Sequence, residues 1–163
     1  MSEDQEQPAR LDRPDVRFPP PLAYLGFLLA GFAIDRWITD WALPITGTLR
    51  GLTGLLLVAA GLALVAPALM SFRKAKENPE PWTRSKRLIR SGWYRHTRNP
   101  MYLGMTLLYA GLAILIGSPT ALLLLPALIW LIQTRVIARE EAYLLARFGS
   151  QYTDYMKRVR RWI

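Results

Sequence analysis

Residues 91–119 read SGWYRHTRNPMYLGMTLLYAGLAILIGSP, and this stretch decides most of what the sequence predicts about the fold. It begins with a segment dense in charge, hydrogen-bonding groups and turn formers. An apolar run long enough to enter a bilayer follows from Pro100 to Gly117, and Gly117-Ser118-Pro119 then makes a compact break. A polar segment at the mouth of a membrane helix is costly to place there and usually marks a functional site.

The compact break predicts that residues 100–138 form a helical hairpin. Apolar residues resume directly after the break, so the second run must turn back against the first. The two ends of the hairpin away from the break are then neighbours, which brings residues 94–104 close to residues 135–141. The sequence therefore predicts a pocket at this end, surrounded by Arg95, His96, Arg98, Asn99, Tyr102, Arg135, Arg139, Glu140 and Glu141.

Two further apolar runs precede the hairpin, and each is long enough to cross a bilayer. Asp35, Arg36 and Asp40 lie in the second half of the first run. Charges facing lipid are costly, so we place these three near the far interface, with Asp35 or Asp40 close enough to pair with Arg36. The predicted spans are about 21–43, 52–72, 100–117 and 119–138.

The chain after the fourth span predicts a helix lying on the membrane surface. Gly149 is a natural stop for the preceding helix, and Ser150 can cap the next one. Residues 150–162 place their aromatic side chains on one face and most of their basic side chains elsewhere. The predicted fold class is an all-α integral membrane protein with about four transmembrane helices and this C-terminal amphipathic helix. Residues 1–17 are expected to be a poorly ordered tail, and residues 18–163 a single domain.

Composition narrows the possible chemistry. The chain is 52% hydrophobic and 20% charged, and the two kinds of residue are segregated into blocks, which is typical of a small polytopic membrane protein. It has no cysteine, which excludes disulfides, thiolate nucleophiles and Cys-ligated metals, and a single histidine, which excludes a histidine-cluster metal site. We therefore predict no metal.

The net charge of +9 has a membrane explanation, because the basic residues flank the apolar runs. We therefore expect contact with lipid headgroups and no nucleic-acid partner. Lys and Arg are frequent in residues 73–99 and in the C-terminal tail, sparse in residues 35–51 and absent from the Gly117 turn. This asymmetry predicts that both termini and the pocket are cytoplasmic, in a bacterial inner membrane. The acidic start of the chain does not have the pattern of a signal peptide.

The residues alone leave some roles open. On composition alone Glu140 and Glu141 are better explained as a solvated helix end, and His96 could equally be an interfacial loop histidine. Gly104 and Gly111 are seven residues apart and share a helix face, so they allow close helix packing, although we favour ligand contact for Gly104.

The order of these residues resembles a known family. The pattern includes the segment Ser91-Gly92-x-Tyr94-Arg95-x-x-Arg98-x-Pro100-x-Tyr102-x-Gly104, the pair Glu140-Glu141 and the run Phe148-Gly149-x-x-Tyr152-x-x-Tyr155-x-x-x-Val159. It is similar to the isoprenylcysteine carboxyl methyltransferases and to the related membrane phospholipid N-methyltransferases. The resemblance covers nearly everything after the N-terminal tail.

The resemblance implies an integral membrane methyltransferase that uses S-adenosylmethionine and acts on a lipophilic small molecule or lipid. The sequence has no glycine-rich dinucleotide-binding loop after a predicted strand, which is consistent with a cofactor site that is not of the Rossmann type. We further predict that Arg139, as the catalytic residue, or Arg135 would orient the acceptor if the acceptor is a carboxylate. The cofactor site would comprise Arg98, Asn99, Pro100, Tyr102, Leu103, Gly104, Glu140 and Glu141, with Tyr94, His96 and Thr97 nearby.

One departure from the family pattern is Asn99, where members often have histidine. Asparagine can grip a cofactor by hydrogen bonds but cannot act as a general base. Two alternatives therefore stay open at this stage. One is an NADPH-dependent reductase of the sterol reductase type, which has a similar arginine-proline-tyrosine segment, and the other is a non-catalytic lipid-binding subunit of the membrane.

Overall fold

The computed structural model describes residues 13–163, and all regular elements in that range are helical, which confirms the predicted fold class. The first half holds α1 (Pro20–Ile34), a π-helical turn (Asp35–Thr39), α2 (Gly47–Ala75) and a short 3₁₀ turn (Gly92–Arg95). The second half holds α3 (Pro100–Ile116), α4 (Pro119–Ile132), a second π-helical turn (Gln133–Ile137), α5 (Ala138–Phe148) and α6 (Ser150–Arg158).

Three helical stretches are long and apolar enough to cross a membrane, and each corresponds to a predicted span: Pro20–Thr39, Gly47–Ala75 and Pro119–Phe148. The remaining predicted span is the shorter apolar helix Pro100–Ile116. Its 17 residues rise only about 25 Å, somewhat less than the hydrocarbon core of a typical bilayer. It is short because Pro100 starts it directly after the polar segment and Gly117, at φ 75°, ends it.

Helices α2 and α3 approach each other through paired glycines. A methyl group built on Gly61 would lie 2.7 Å from the carbonyl oxygen of Gly104, and one built on Gly111 would lie 2.8 Å from the carbonyl oxygen of Gly54. Such distances leave no room for a side chain. Gly104 therefore packs against α2 on this face, and its contact with a ligand stays a prediction.

The far end of the hairpin is tied to α1 by a buried carboxylate. Asp35 accepts hydrogen bonds from the hydroxyls of Ser118 and Thr120, and from the backbone N–H of Thr120 at 3.2 Å. An acidic side chain at a helix start also interacts favourably with the helix dipole. Among the described residues Asp35 thus binds the neutral donors at the start of α4, and the expected pairing with Arg36 is not found.

The N-terminal segment differs in part from the expected tail. Residues 1–12 of the predicted tail 1–17 lie outside the described residues. Pro14 and Val16, however, are buried, and Val16 belongs to the main apolar core between the helices. Part of residues 13–17 therefore packs against the helices, and the domain boundary at residue 17 stays a prediction.

The glycine contact gives a direct test of the α2–α3 packing. We expect Gly61→Ala to lower the free energy of unfolding by about 1–3 kcal/mol, because the added methyl group meets backbone atoms of α3 that cannot move aside. The matched control is Gly51→Ala, in the same helix but with no atom within 4 Å of the added methyl group. The measurement is the unfolding temperature in detergent. Equal temperatures for the two variants would contradict the packing described above.

Candidate functional site

A cavity lies at the end of the hairpin away from the Gly117 turn, between α3, α5, α6 and the loop of residues 76–91. Its interior has room for about 100 Å³ of water, and the wider cleft, including the part open to solvent, measures about 820 Å³. The predicted site residues on its wall are Tyr94, Arg98, Asn99, Tyr102, Glu140 and Glu141.

Arg98 joins the start of α3 to the C-terminal segment. Its backbone N–H donates to the carbonyl of Arg160 at 2.9 Å, and its Nη1 donates to the carbonyls of Met156 (3.4 Å) and Val159 (3.2 Å). Its Nη2 donates to Oε1 of Glu141 at 2.8 Å. The remaining donor, Nε, is buried and has no partner among the described residues. A buried donor without a partner is costly, so it is available to a ligand.

The two adjacent carboxylates of α5 have different surroundings. Glu141 pairs with Arg98 and also with Nη2 of Arg161 at 2.5 Å. This pairing raises the pKa of the Arg161 guanidinium. Glu140 instead accepts one hydrogen bond, from the hydroxyl of Tyr102 at 2.8 Å, and has no cationic partner among the described residues. Glu141 thus stabilises the structure through its ion pairs, whereas the carboxylate of Glu140 lines the cavity without a cationic partner among the described residues.

Aromatic rings form much of the remaining wall. Tyr152 and Tyr155 are buried with ring centroids 6.1 Å apart, and Tyr94 packs edge-on against Phe72 at 5.8 Å. The Tyr155 hydroxyl donates to the carbonyl of Tyr94 at 2.6 Å. Burial raises the pKa of all three tyrosines well above the ordinary value, with the charge of Glu140 adding to the effect at Tyr94. These phenols therefore stay protonated at neutral pH and can present ring faces to a cation.

Asn99 and Thr97 hold the end of the chain in place. The Asn99 side-chain amide donates to the carbonyl of Arg161 at 3.0 Å, and the Thr97 hydroxyl donates to the same oxygen at 3.1 Å. The Thr97 hydroxyl also accepts the backbone N–H of Asn99 at 3.1 Å. Trp162 adds a bond from its indole N–H to Gln133. The amide of Asn99 is therefore used within the protein, although the residue lines the cavity.

The aromatic face of α6, expected to lie on the membrane surface, packs against other parts of the protein. Tyr152, Tyr155 and Val159 pack with Leu88 and other apolar side chains of the loop and of α5. The C-terminal helix is amphipathic as predicted, and its apolar face covers the cavity.

Several predicted pocket residues lie elsewhere. Arg139 does not line the cavity; its guanidinium binds Asp15 of the N-terminal segment, with Nη1 2.6 Å from Oδ2. His96 is exposed and its ring contacts that of Trp93. The residues Arg95 and Arg135 are exposed, and Pro100, Leu103 and Gly104 lie outside the cavity wall.

The sequence reasoning missed the contribution of the 76–91 loop. Its residues Asn78, Pro79 and Pro81 line the cavity, as does Tyr143 of α5. The Tyr143 hydroxyl accepts the backbone N–H of Ser85 at 2.9 Å, which fixes the loop against α5. Residues 78–81 read Asn-Pro-Glu-Pro and are dense in turn formers. This run could have indicated that the basic loop has a defined structure.

A family model described as phospholipid methyltransferase matches residues 49–151. A protein-S-isoprenylcysteine O-methyltransferase of Schizosaccharomyces pombe is 35% identical over 72 residues, which are 44% of this chain and 30% of that protein. Protein-S-isoprenylcysteine O-methyltransferase B of Arabidopsis thaliana is 30% identical over 73 residues, 45% of this chain and 37% of that protein. An uncharacterized protein of Haemophilus influenzae is 38% identical over 63 residues, which are 39% of this chain and the whole of that protein. The matched region thus spans about a third of the length of the two named methyltransferases.

Asn99 provides a test of how the C-terminal segment is held. Asn99→Leu keeps a similar volume but removes the donor to Arg161, and we expect a loss of about 1 kcal/mol, since Thr97 still binds that carbonyl. Trypsin cleavage at the basic residues of 157–161 should then be about fivefold faster. The matched variant Asn99→His retains an N–H donor and should cleave like the wild type. Equal cleavage of all three proteins would show that the amide does not hold the segment.

Proposed function

This chain belongs to the phospholipid methyltransferase family, and we propose that it transfers a methyl group from S-adenosylmethionine to a lipophilic acceptor at the cytoplasmic face of a membrane. The family and the named relatives indicate a membrane methyltransferase. The donor, the class of acceptor and the orientation belong to the proposal.

The observation that carries the proposal is the cavity carboxylate of Glu140. One of its oxygens is fixed by Tyr102, and no cation among the described residues neutralises it. A carboxylate at the edge of a membrane domain is costly unless it is paired, so a cationic ligand is the expected partner. S-adenosylmethionine carries two cationic groups, a sulfonium and an ammonium.

The other walls of the cavity also suit this ligand. The free Nε donor of Arg98 can bind the carboxylate of the ligand. The ring faces of Tyr94, Tyr152 and Tyr155 can attract a cation such as the sulfonium, by about 0.5–2 kcal/mol. Arg98, Glu140 and the tyrosines are therefore the residues that we propose hold S-adenosylmethionine.

When bound, S-adenosylmethionine supplies an electrophilic methyl group. The task of the protein is then to align the acceptor and to keep the site dry, and good alignment can contribute about 7–11 kcal/mol to lowering the barrier. The loop fixed by Tyr143 and the segment fixed by Arg98 cover the cavity from two sides. No residue has to act as a base if the acceptor arrives deprotonated, which agrees with an asparagine at position 99.

An apolar side of the cavity favours a lipophilic acceptor. Phe72 at the end of α2 and Met101 at the start of α3 both line it, and these helices continue into the apolar part of the domain. Leu88 and Leu144 add apolar surface from the loop and α5. A long-chain acceptor could therefore keep its tail among the apolar helices while its polar end reaches the cavity.

The first test is calorimetric titration of S-adenosylmethionine into detergent-purified protein. We expect binding to the wild type and at least tenfold weaker binding to Glu140→Gln, because the variant loses the only cavity carboxylate of α5 that is not paired with arginine. The control is Asp154→Asn, which removes the same charge from the exposed side of α6 and should bind normally.

NADPH, the ligand of the alternative reductase, is titrated separately under the same conditions. Binding of NADPH and not of S-adenosylmethionine would replace the methyltransferase proposal by a reductase. Absence of binding by either ligand to folded protein would reject both. A positive result is completed by incubation with methyl-labelled S-adenosylmethionine and a bacterial lipid extract, after which label should appear in the lipid fraction.

A further inference from the structure

The N-terminal residues 13–19, which we call the strap, lie against the cavity that we propose to be the methyl-transfer site. Pro14 is buried and forms part of the cavity wall. Val16 is 7% exposed and belongs to the main core, and Phe18 packs against the same core. The strap therefore covers one side of the cavity although it is far in sequence from the other wall residues.

Arg139 connects the strap to α5. Its Nη1 lies 2.6 Å from Oδ2 of Asp15 and also binds the backbone carbonyl of Asp15. The next residue of α5, Glu140, points its carboxylate into the cavity. One turn of α5 thus holds both the carboxylate offered to the ligand and the guanidinium that holds the strap.

The ion pairs that hold the strap among the described residues are largely exposed. The side chains of Asp15 and Arg139 are 57% and 29% exposed, so their attraction is partly screened by water and salt. Val16 has a small side chain. Arg17 is exposed, and its ion pair among the described residues is with Asp15. A segment held in this way opens more readily than the helices beneath it.

We propose that residues 13–19 are a strap that closes the ligand cavity and that Arg139 is the positioning residue that keeps it closed. Arg139 then acts through Asp15 and does not touch the acceptor. Closure completes the wall with Pro14 and keeps water from the reacting groups, and opening gives the ligand a way in and out. This inference rests on the proposed function, since it assigns the strap to the same cavity.

The first part of the test needs no ligand. The chain has no cysteine, so Val16→Cys provides a unique thiol in the strap. Its reaction with a water-soluble maleimide should be slow in the closed state and about fivefold faster after Arg139→Gln, as expected for the loss of a partly exposed ion pair. The matched control is Arg135→Gln, which removes an exposed arginine one turn earlier and should leave the rate unchanged. Equal rates in the two variants would overturn the proposal. If Val16→Cys does not fold, Pro14→Cys is used with the same comparison.

The second part relates the strap to the ligand. Saturating S-adenosylhomocysteine should slow the modification of Val16→Cys several-fold. In the chain with native Val16, Arg139→Gln should speed the dissociation of S-adenosylhomocysteine, while its unfolding temperature stays equal to that of Arg135→Gln. Protection that is absent although the ligand binds would overturn the link between strap and cavity. No binding of the ligand at all would instead count against the proposed function, and the comparison of Arg139→Gln with Arg135→Gln would still decide whether Arg139 holds the strap.

Discussion

The ion pair between Arg98 and Glu141 is the interaction on which the cavity depends. It joins the start of α3 to α5, and the remaining donors of Arg98 reach the carbonyls of the C-terminal segment. Both side chains are only 12–13% exposed, so breaking the pair would leave a nearly buried charge, at a cost of about 3–5 kcal/mol. Arg161 adds a second cation to Glu141 and brings the end of the chain into the same cluster. The hairpin and the C-terminal segment can enclose a cavity because this cluster joins them, and the hydrogen bond from Ser85 to Tyr143 holds the loop beside them.

The difference between the two neighbouring glutamates follows from the same cluster. Since Glu141 is neutralised by two arginines, it stabilises the protein and has little left to offer a ligand. Glu140 faces the cavity with a tyrosine hydroxyl as its only partner among the described residues. A substitution at Glu141 would therefore mix loss of structure with loss of binding, whereas Glu140 reports on the ligand. Roles inferred from a conspicuous Glu-Glu pair need this distinction before they are tested.

Much of the fold could be predicted from the sequence, because it depends on local signals. Four apolar runs, the break at Gly117 and the polar segment before Pro100 were sufficient to place the hairpin and the end at which the cavity lies. The places of Glu140 and Glu141 on the cavity wall were predicted, whereas the direction of Arg139 was not. The π-helical turn Gln133–Ile137 inserts one residue relative to an α-helix and rotates all later side chains by about 100°. Arg139, predicted to be catalytic, binds Asp15, which is distant in sequence and could not be recognised as its partner from local patterns.

The shortness of α3 has a consequence for the surrounding lipid. A helix of about 25 Å between longer neighbours cannot match a hydrocarbon layer of about 30 Å, so the bilayer thins beside it or lipid headgroups sink towards it. Where this response falls at the start of α3, it lowers the membrane surface towards Arg98 and Asn99. An amphiphile in that leaflet then meets the cavity at its own depth, and need not be lifted out of the bilayer to be reached. The length of one helix thus sets the level at which a membrane-bound molecule is presented to the site.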